Sequence, residues 1–200
     1  MKKVVVNILS AVFVMTVCIG CGGGSDRMRM TVEDSGSFSF ELSGSGMATV
    51  DWGDGSDRTT LELSARDGTR FSKIYAGSGR HTITITGNDM INLSISNERL
   101  TSLDVRRNPK LMSLGVSNSQ LTNLDLSRNT ALTSLNIWNS QLTSLDLRNN
   151  TALTSLTVSN NQQLRNLDLS RNTALTRLDV QNNQLTATDF NALFESLPLV

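Results

Sequence analysis

The sequence predicts a mainly β chain: a sandwich of short strands, then a solenoid of stacked parallel strands, closed by a C-terminal helix. Three observations predict it. From Met90 to Leu185 a leucine motif returns about every ten or eleven residues, as in LTSLNIWNSQ and LTSLDLRNNTA. Between 31 and 87, apolar and polar residues alternate in SFSFEL, ATVDW and HTITITG, bounded by Gly, Ser and Asp clusters, as half-buried strands do. Near the end, Phe190, Leu193, Phe194 and Leu197 fall at i, i+3, i+4 and i+7, a helical stripe.

Residues 1–21 read as a targeting segment. Lys2 and Lys3 precede an apolar run from Val4 to Val17, interrupted by Asn7, Ser10 and Thr16. The run is too short for a membrane span of ~20 residues and has signal-peptide order. CIGC then meets GGGS, and Gly20 before Cys21 resembles the box cut by lipoprotein signal peptidase. The resemblance implies lipidation at Cys21; Cys18 stands where that pattern usually has Leu. Gly22 in place of Asp implies, by the same resemblance, the Gram-negative outer membrane, and leaves open whether the chain faces the periplasm or the cell surface. Both cysteines of the chain lie at this junction, so the mature chain keeps one and forms no internal disulfide. Loss of Lys2 and Lys3 leaves 16 basic against 18 acidic residues, without the basic excess expected of a nucleic-acid binder. Residues 22–30, GGGSDRMRM, read as a Gly-rich tether.

Residues 31–87 carry the alternating strands. VDWGDGS, Val50–Ser56, holds an Asp-Gly turn between strand-like residues. With the later FSKIYAGSGRHTITITG it resembles the PKD-type β-sandwich; Lys73–Tyr75 reads K-I-Y and Arg80–Thr82 reads R-H-T, so the motif is matched in part. Asp51, Asp54 and Asp57 lack the spacing of a calcium loop and read as turn and surface residues. The single histidine, His81, sits in the strand HTIT with no nucleophile motif around it.

The leucine units span 88–188 and come in two kinds. One carries LDL or LDV; the next has a β-branched residue at its sixth place. A pair makes a 21-residue repeat, with one longer copy where Gln162-Gln163 adds a residue. Leu132, Leu135 and Ile137 form one inward set, and Leu142, Leu145 and Leu147 the next, because strand side chains alternate faces. One unit cannot bury its own leucines; stacked copies bury each other's. Asn after each strand suits a turn. Asn108, Asn129, Asn150 and Asn172 make one column; Asn97, Asn118, Asn139, Asn160 and Asn182 make the other. The pattern resembles the leucine-rich-repeat proteins of the short bacterial class, with a nested ten/eleven period. That resemblance implies fold and says little about ligand. No linker precedes the first unit, so the sandwich is expected to cap the solenoid. Residues 189–200 are the expected cap helix. It ends at Pro198-Leu199-Val200 without a polar finish, which suggests a shortened chain.

Function is sought on the outward places. On the β-branched units these include Ser134, Asn136 and Trp138, then Ser155 and Thr157, then Arg177 and Asp179: a field of hydroxyls and amides with one indole. Trp is enriched at binding hot spots and also stacks on sugar rings. On the LDL units Asp104, Asp125, Asp146 and Asp168 form a column, with Arg106, Arg107, Arg128, Arg148 and Arg171 placed to offset it. An ion-pair ladder is expected, with a cation row as the alternative. Nothing points to an enzyme, a cofactor or a metal. The expectation is a non-catalytic, monomeric binding protein for a protein or glycan ligand, held to a membrane by its lipid. The alternative is a structural or truncated paralogue without a ligand of its own.

Overall fold

The computed structural model describes residues 26–33, 36–97 and 99–186. Cys18, Cys21 and the helix expected at 189–200 lie outside these residues. Among the described residues there is no helix, and the chain forms strands β1 (Asp26–Glu33), β2 (Gly36–Gly44), β3 (Met47–Asp51), β4 (Thr59–Glu62), β5 (Thr69–Tyr75), β6 (Arg80–Gly87), β7 (Met90–Ser96), β8 (Leu100–Asp104), β9 (Ser113–Ser117), β10 (Ser134–Trp138), β11 (Ser155–Ser159) and β12 (Arg177–Asp179). They build two sheets, in the orders β4-β3-β6-β1-β8 and β12-β11-β10-β9-β7-β2-β5.

The first strand corrects the tether reading of 22–30. Residues 26–30 belong to β1, where Met28, Met30 and Val32 alternate into the core and Arg29 faces out. The two sheets face each other through an aromatic layer. The rings of Phe40 on β2 and Trp52, just after β3, lie 6.1 Å apart, and the Tyr75 hydroxyl donates to the Trp52 carbonyl at 2.8 Å. Trp52 is buried and its indole N–H donates to Thr59 Oγ1 at 2.8 Å. Gly53 takes φ 73°, and a Cβ there would lie 2.4 Å from the Thr82 carbonyl oxygen. Only glycine fits that turn.

The solenoid grows out of both sheets without a break. β7 runs antiparallel to β2, pairing Ser94 with Glu41, and on its other edge runs parallel to β9. β8 runs antiparallel to β1, pairing Asp104 with Arg29. The first leucine turn therefore adds one strand to each sheet, and all the buried apolar residues form one core. β9, β10, β11 and β12 then stack in parallel, with Leu114, Leu135 and Leu156 in register.

The two kinds of unit differ more than their sequences suggest. Strands form at the β-branched units and at the LDV units of β8 and β12, and not at the three LDL units between them. After β8, the LDL stretches are extended and joined by scattered bonds, such as Gln141 N–H to the Leu121 carbonyl at 3.0 Å. In each LDL unit the Asp at the fifth place accepts the backbone N–H two residues on and so fixes the turn that follows.

The asparagine columns divide in the same way. Asn108, Asn129, Asn150 and Asn172 are fully buried. Asn129 Nδ2 donates to the carbonyls of Val105 (2.9 Å) and Asn108 (2.7 Å) on the rung before, and Asn150 and Asn172 repeat the pattern. In the other column Asn118, Asn139, Asn160 and Asn182 take φ of 50°, 51°, 58° and 54°. Asparagine tolerates this left-handed region better than other side chains. Behind them lies a buried column that the repeat pattern did not flag: Ser119 and Ser140 share a 2.7 Å hydroxyl bond, and Asn161 reaches the Ile137 carbonyl at 3.3 Å.

Candidate functional site

The outward face of the seven-stranded sheet crosses both parts of the chain. One cross-strand row reads Arg70, Glu41, Ser94, Gly115, Asn136, Thr157 and Asp179. The adjacent row reads Ser43, Asn92, Ser113, Ser134, Ser155 and Arg177. Beyond it on the Asn136 side, Trp138 lies between Ser117 and Ser159. The seven residues singled out from sequence, Ser134 to Asp179, thus fall into three neighbouring rows. Trp138 is 43% exposed. Asp179 is partly used: its Oδ1 accepts from Ser159 Oγ at 2.8 Å and from the Gln181 N–H at 3.1 Å.

The polar groups on the two faces of the solenoid are used differently. On the sheet face, the side chains of Asn92, Ser94, Ser113, Ser134, Asn136, Ser155 and Thr157 make no hydrogen bond among the described residues. On the Asp face, each carboxylate serves its own turn. Oδ1 of Asp104, Asp125, Asp146 and Asp168 accepts the N–H two residues on at 3.1, 3.0, 3.0 and 2.9 Å. Arg106 pairs with Asp104 at 2.9 Å and reaches Asp125 at 3.9 Å, while Arg148 pairs with Asp146 at 2.7 Å. Arg107, Arg128 and Arg171 form no ion pair among the described residues, so the expected ladder is two pairs joined to a row of turns. No cluster of three or more His, Cys, Asp and Glu side chains suited to a metal occurs among the described residues.

These contacts hold the column ionised. Side-chain hydrogen bonds from Arg106, Ser127, Arg148 and Ser170 keep Asp104, Asp125, Asp146 and Asp168 below the usual carboxylate range, Asp146 at about 2. A carboxylate with a depressed folded pKa contributes stability that is complete above its unfolded value of about 3.9 and is lost as pH falls through the folded value. The melting temperature is therefore expected to fall between pH 4 and pH 2. Asp146→Asn should lower it at pH 7 and flatten that part of the profile. An unchanged acid limb in Asp146→Asn would contradict the assignment.

The Asp-Gly turn behaves similarly. Asp54 pairs with Lys73 at 3.0 Å, Asp51 pairs with Arg58 at 3.2 Å, and Asp54 is lowered to about 2, chiefly by its bond from Ser56. His81 stacks on Tyr75 with ring centroids 4.0 Å apart, and no hydrogen-bond partner reaches its buried Nε2. Burial raises the Tyr75 phenol well above its usual value.

Sequence reasoning missed the contribution of the N-terminal strands to the sheet face. Glu41 and Ser43 alternate outward in SFSFELSG, but their neighbours on β7 come from long-range pairing that local patterning does not encode. With Arg66 and Asp67 they border a cavity of about 330 Å³ over the first rungs.

No family model and no curated protein matches this chain. Among solved structures it is similar to the functional domain of InlJ from Listeria monocytogenes, which includes a cysteine ladder: 23% identity, 57% of this chain, 34% of that one, TM-score 0.34. It is also similar to an internalin, InlF, from Listeria monocytogenes, at 24% identity, 51% of this chain, 38% of that one and TM-score 0.38. The chain spans little more than a third of the length of these structures.

Proposed function

We propose that this chain is a non-catalytic binding protein that takes a protein or glycan ligand on the outward face of the seven-stranded sheet, centred on Trp138. One observation supports this reading above others. The chain satisfies the carboxylates of one solenoid face internally and leaves the hydroxyls and amides of the other without partners beside an exposed indole. Because the sheet already orders their backbone, binding through these side chains costs no backbone ordering. Lipidation at Cys21, with residues 22–25 as the spacer, would hold the molecule on the outer membrane of a Gram-negative cell, facing the surface or the periplasm. In this reading the N-terminal sheets are a PKD-like unit that caps the solenoid and extends its binding face.

The test compares wild type with Trp138→Ala on a glycan array and in pull-downs from surface extracts. Indole anchors at binding centres contribute about 2 kcal/mol or more, so binding should weaken at least about thirtyfold. Full binding by Trp138→Ala would remove the sheet face from consideration.

A further inference from the structure

The cavity over the first rungs is a built groove. Its wall is the loop after β4, which folds over the outward face of β2. That loop is held by its own bonds: the Asp67 N–H donates to Ser64 Oγ at 3.1 Å, and the Ser64 N–H donates to Thr69 Oγ1 at 3.0 Å. Gly68, at φ 71°, lets the loop come down on the strand; a Cβ there would lie 3.4 Å from Ser43 Oγ. Arg66 and Asp67 stand on the wall, with Glu41 below them.

The floor is notched at Gly115. This glycine has ordinary strand backbone, and a Cβ would meet nothing nearer than Ser94 Oγ at 3.6 Å. The backbone therefore does not require glycine, and the notch is not filled from within. A glycine inside a strand weakens it and often marks a close approach by another molecule. Ser94 and Asn136 flank the notch in its row, and Ser113 and Ser134 lie in the next. Trp138 follows Asn136 by two residues, about 7 Å along the strand on the same face.

Resting on the sheet-face reading above, we propose that this groove is the subsite for a neutral oligosaccharide that extends from the Trp138 ring into the Gly115 notch. A sugar hydroxyl both donates and accepts, as do the Ser and Asn side chains of the floor. The Glu41 and Asp67 carboxylates are fixed acceptors, and the Arg66 guanidinium is a fixed donor. None of these three side chains is engaged in a hydrogen bond or ion pair among the described residues. Two carboxylates and one guanidinium border the groove, and Arg70 beside Glu41 brings the local charge to zero, which offers an acidic sugar no net attraction. A protein partner fits less well: protein interfaces are depleted in Ser and need an apolar centre, which this floor lacks. The strands of the floor, β2, β7, β9 and β10, are paired on both edges, so a peptide cannot add as a strand here.

Calorimetric titration of the full chain tests this. The probes are neutral α- and β-linked tetrasaccharides of hexoses and pentoses, with tetragalacturonate as the acidic comparison. The expected result is binding of a neutral tetrasaccharide, weakened at least about tenfold by Gly115→Leu and by Glu41→Gln/Arg66→Ala, with the melting temperature of Gly115→Leu not lowered. If Gly115→Leu destabilises the strand, the double variant on the exposed wall still decides. Neutral sugar binding that needs Trp138 but ignores these variants would overturn the groove and leave the sheet face standing. So would capture of a protein through Trp138 with no saccharide bound. Binding of tetragalacturonate alone would overturn the neutral class. No binding of sugar or protein would overturn both readings.

Discussion

Replacing Asn150 with alanine is expected to lower the unfolding free energy by about 3 kcal/mol, whereas Asn108→Ala should cost under about 1 kcal/mol. Both side chains are fully buried and belong to one column. Asn150 Nδ2 bridges two carbonyls of the preceding rung, Leu126 O at 3.1 Å and Asn129 O at 2.9 Å. Each such bond contributes about 1 kcal/mol net, and the truncated side chain leaves a small cavity as well. Asn108 begins the column and has no earlier rung to bond. Neither its Nδ2 nor its Oδ1 finds a partner. Alanine there removes a desolvated amide, whose burial costs about 1–3 kcal/mol, and this offsets the cavity. Urea unfolding with unchanged m-values reads the difference directly. Equal losses at the two positions would contradict the ladder as the source of stability.

Residues 88–200 expressed without the N-terminal strands are expected not to fold. Without β1 and β2, β8 and β7 each lose an antiparallel neighbour. Met90, Leu93, Ile95, Leu100 and Leu103 are all buried in the intact chain and would open to water. Full burial of such side chains contributes about 1.5–3 kcal/mol each. If half of it comes from the cap, the loss is on the order of 5 kcal/mol, comparable to a whole domain's stability. Circular dichroism should show no cooperative melt and the fragment should bind a hydrophobic dye. A sharp melt near that of the intact chain would show that the solenoid closes without its cap.

The leucine period made the solenoid legible because burial by stacking leaves a fixed spacing in sequence. Leu135, Ile137, Leu145 and Leu147 point inward as that spacing requires. The two asparagine columns were also visible, but their separate tasks were not. Whether an Asn bridges buried carbonyls or sits at positive φ depends on the turn around it, and both turns use the same residue. The start of β1 was hidden because Met28 and Met30 alternate with arginines directly after a Gly-rich run. The pairing of β7 with β2 joins residues about fifty positions apart and leaves no local trace, so the charged wall of Glu41, Arg66 and Asp67 stayed out of view. The sheet face itself was legible, since outward places follow from inward ones.

The most direct test of that face is to titrate one ligand, found on the array or in the pull-down, against Trp138→Ala and Arg128→Ala in parallel. These residues lie on different faces of the same solenoid, and both side chains are exposed. Binding should weaken at least about thirtyfold in the first and stay within about twofold of wild type in the second. Unchanged affinity in Trp138→Ala together with loss in Arg128→Ala would place the ligand on the Asp face and contradict the assignment.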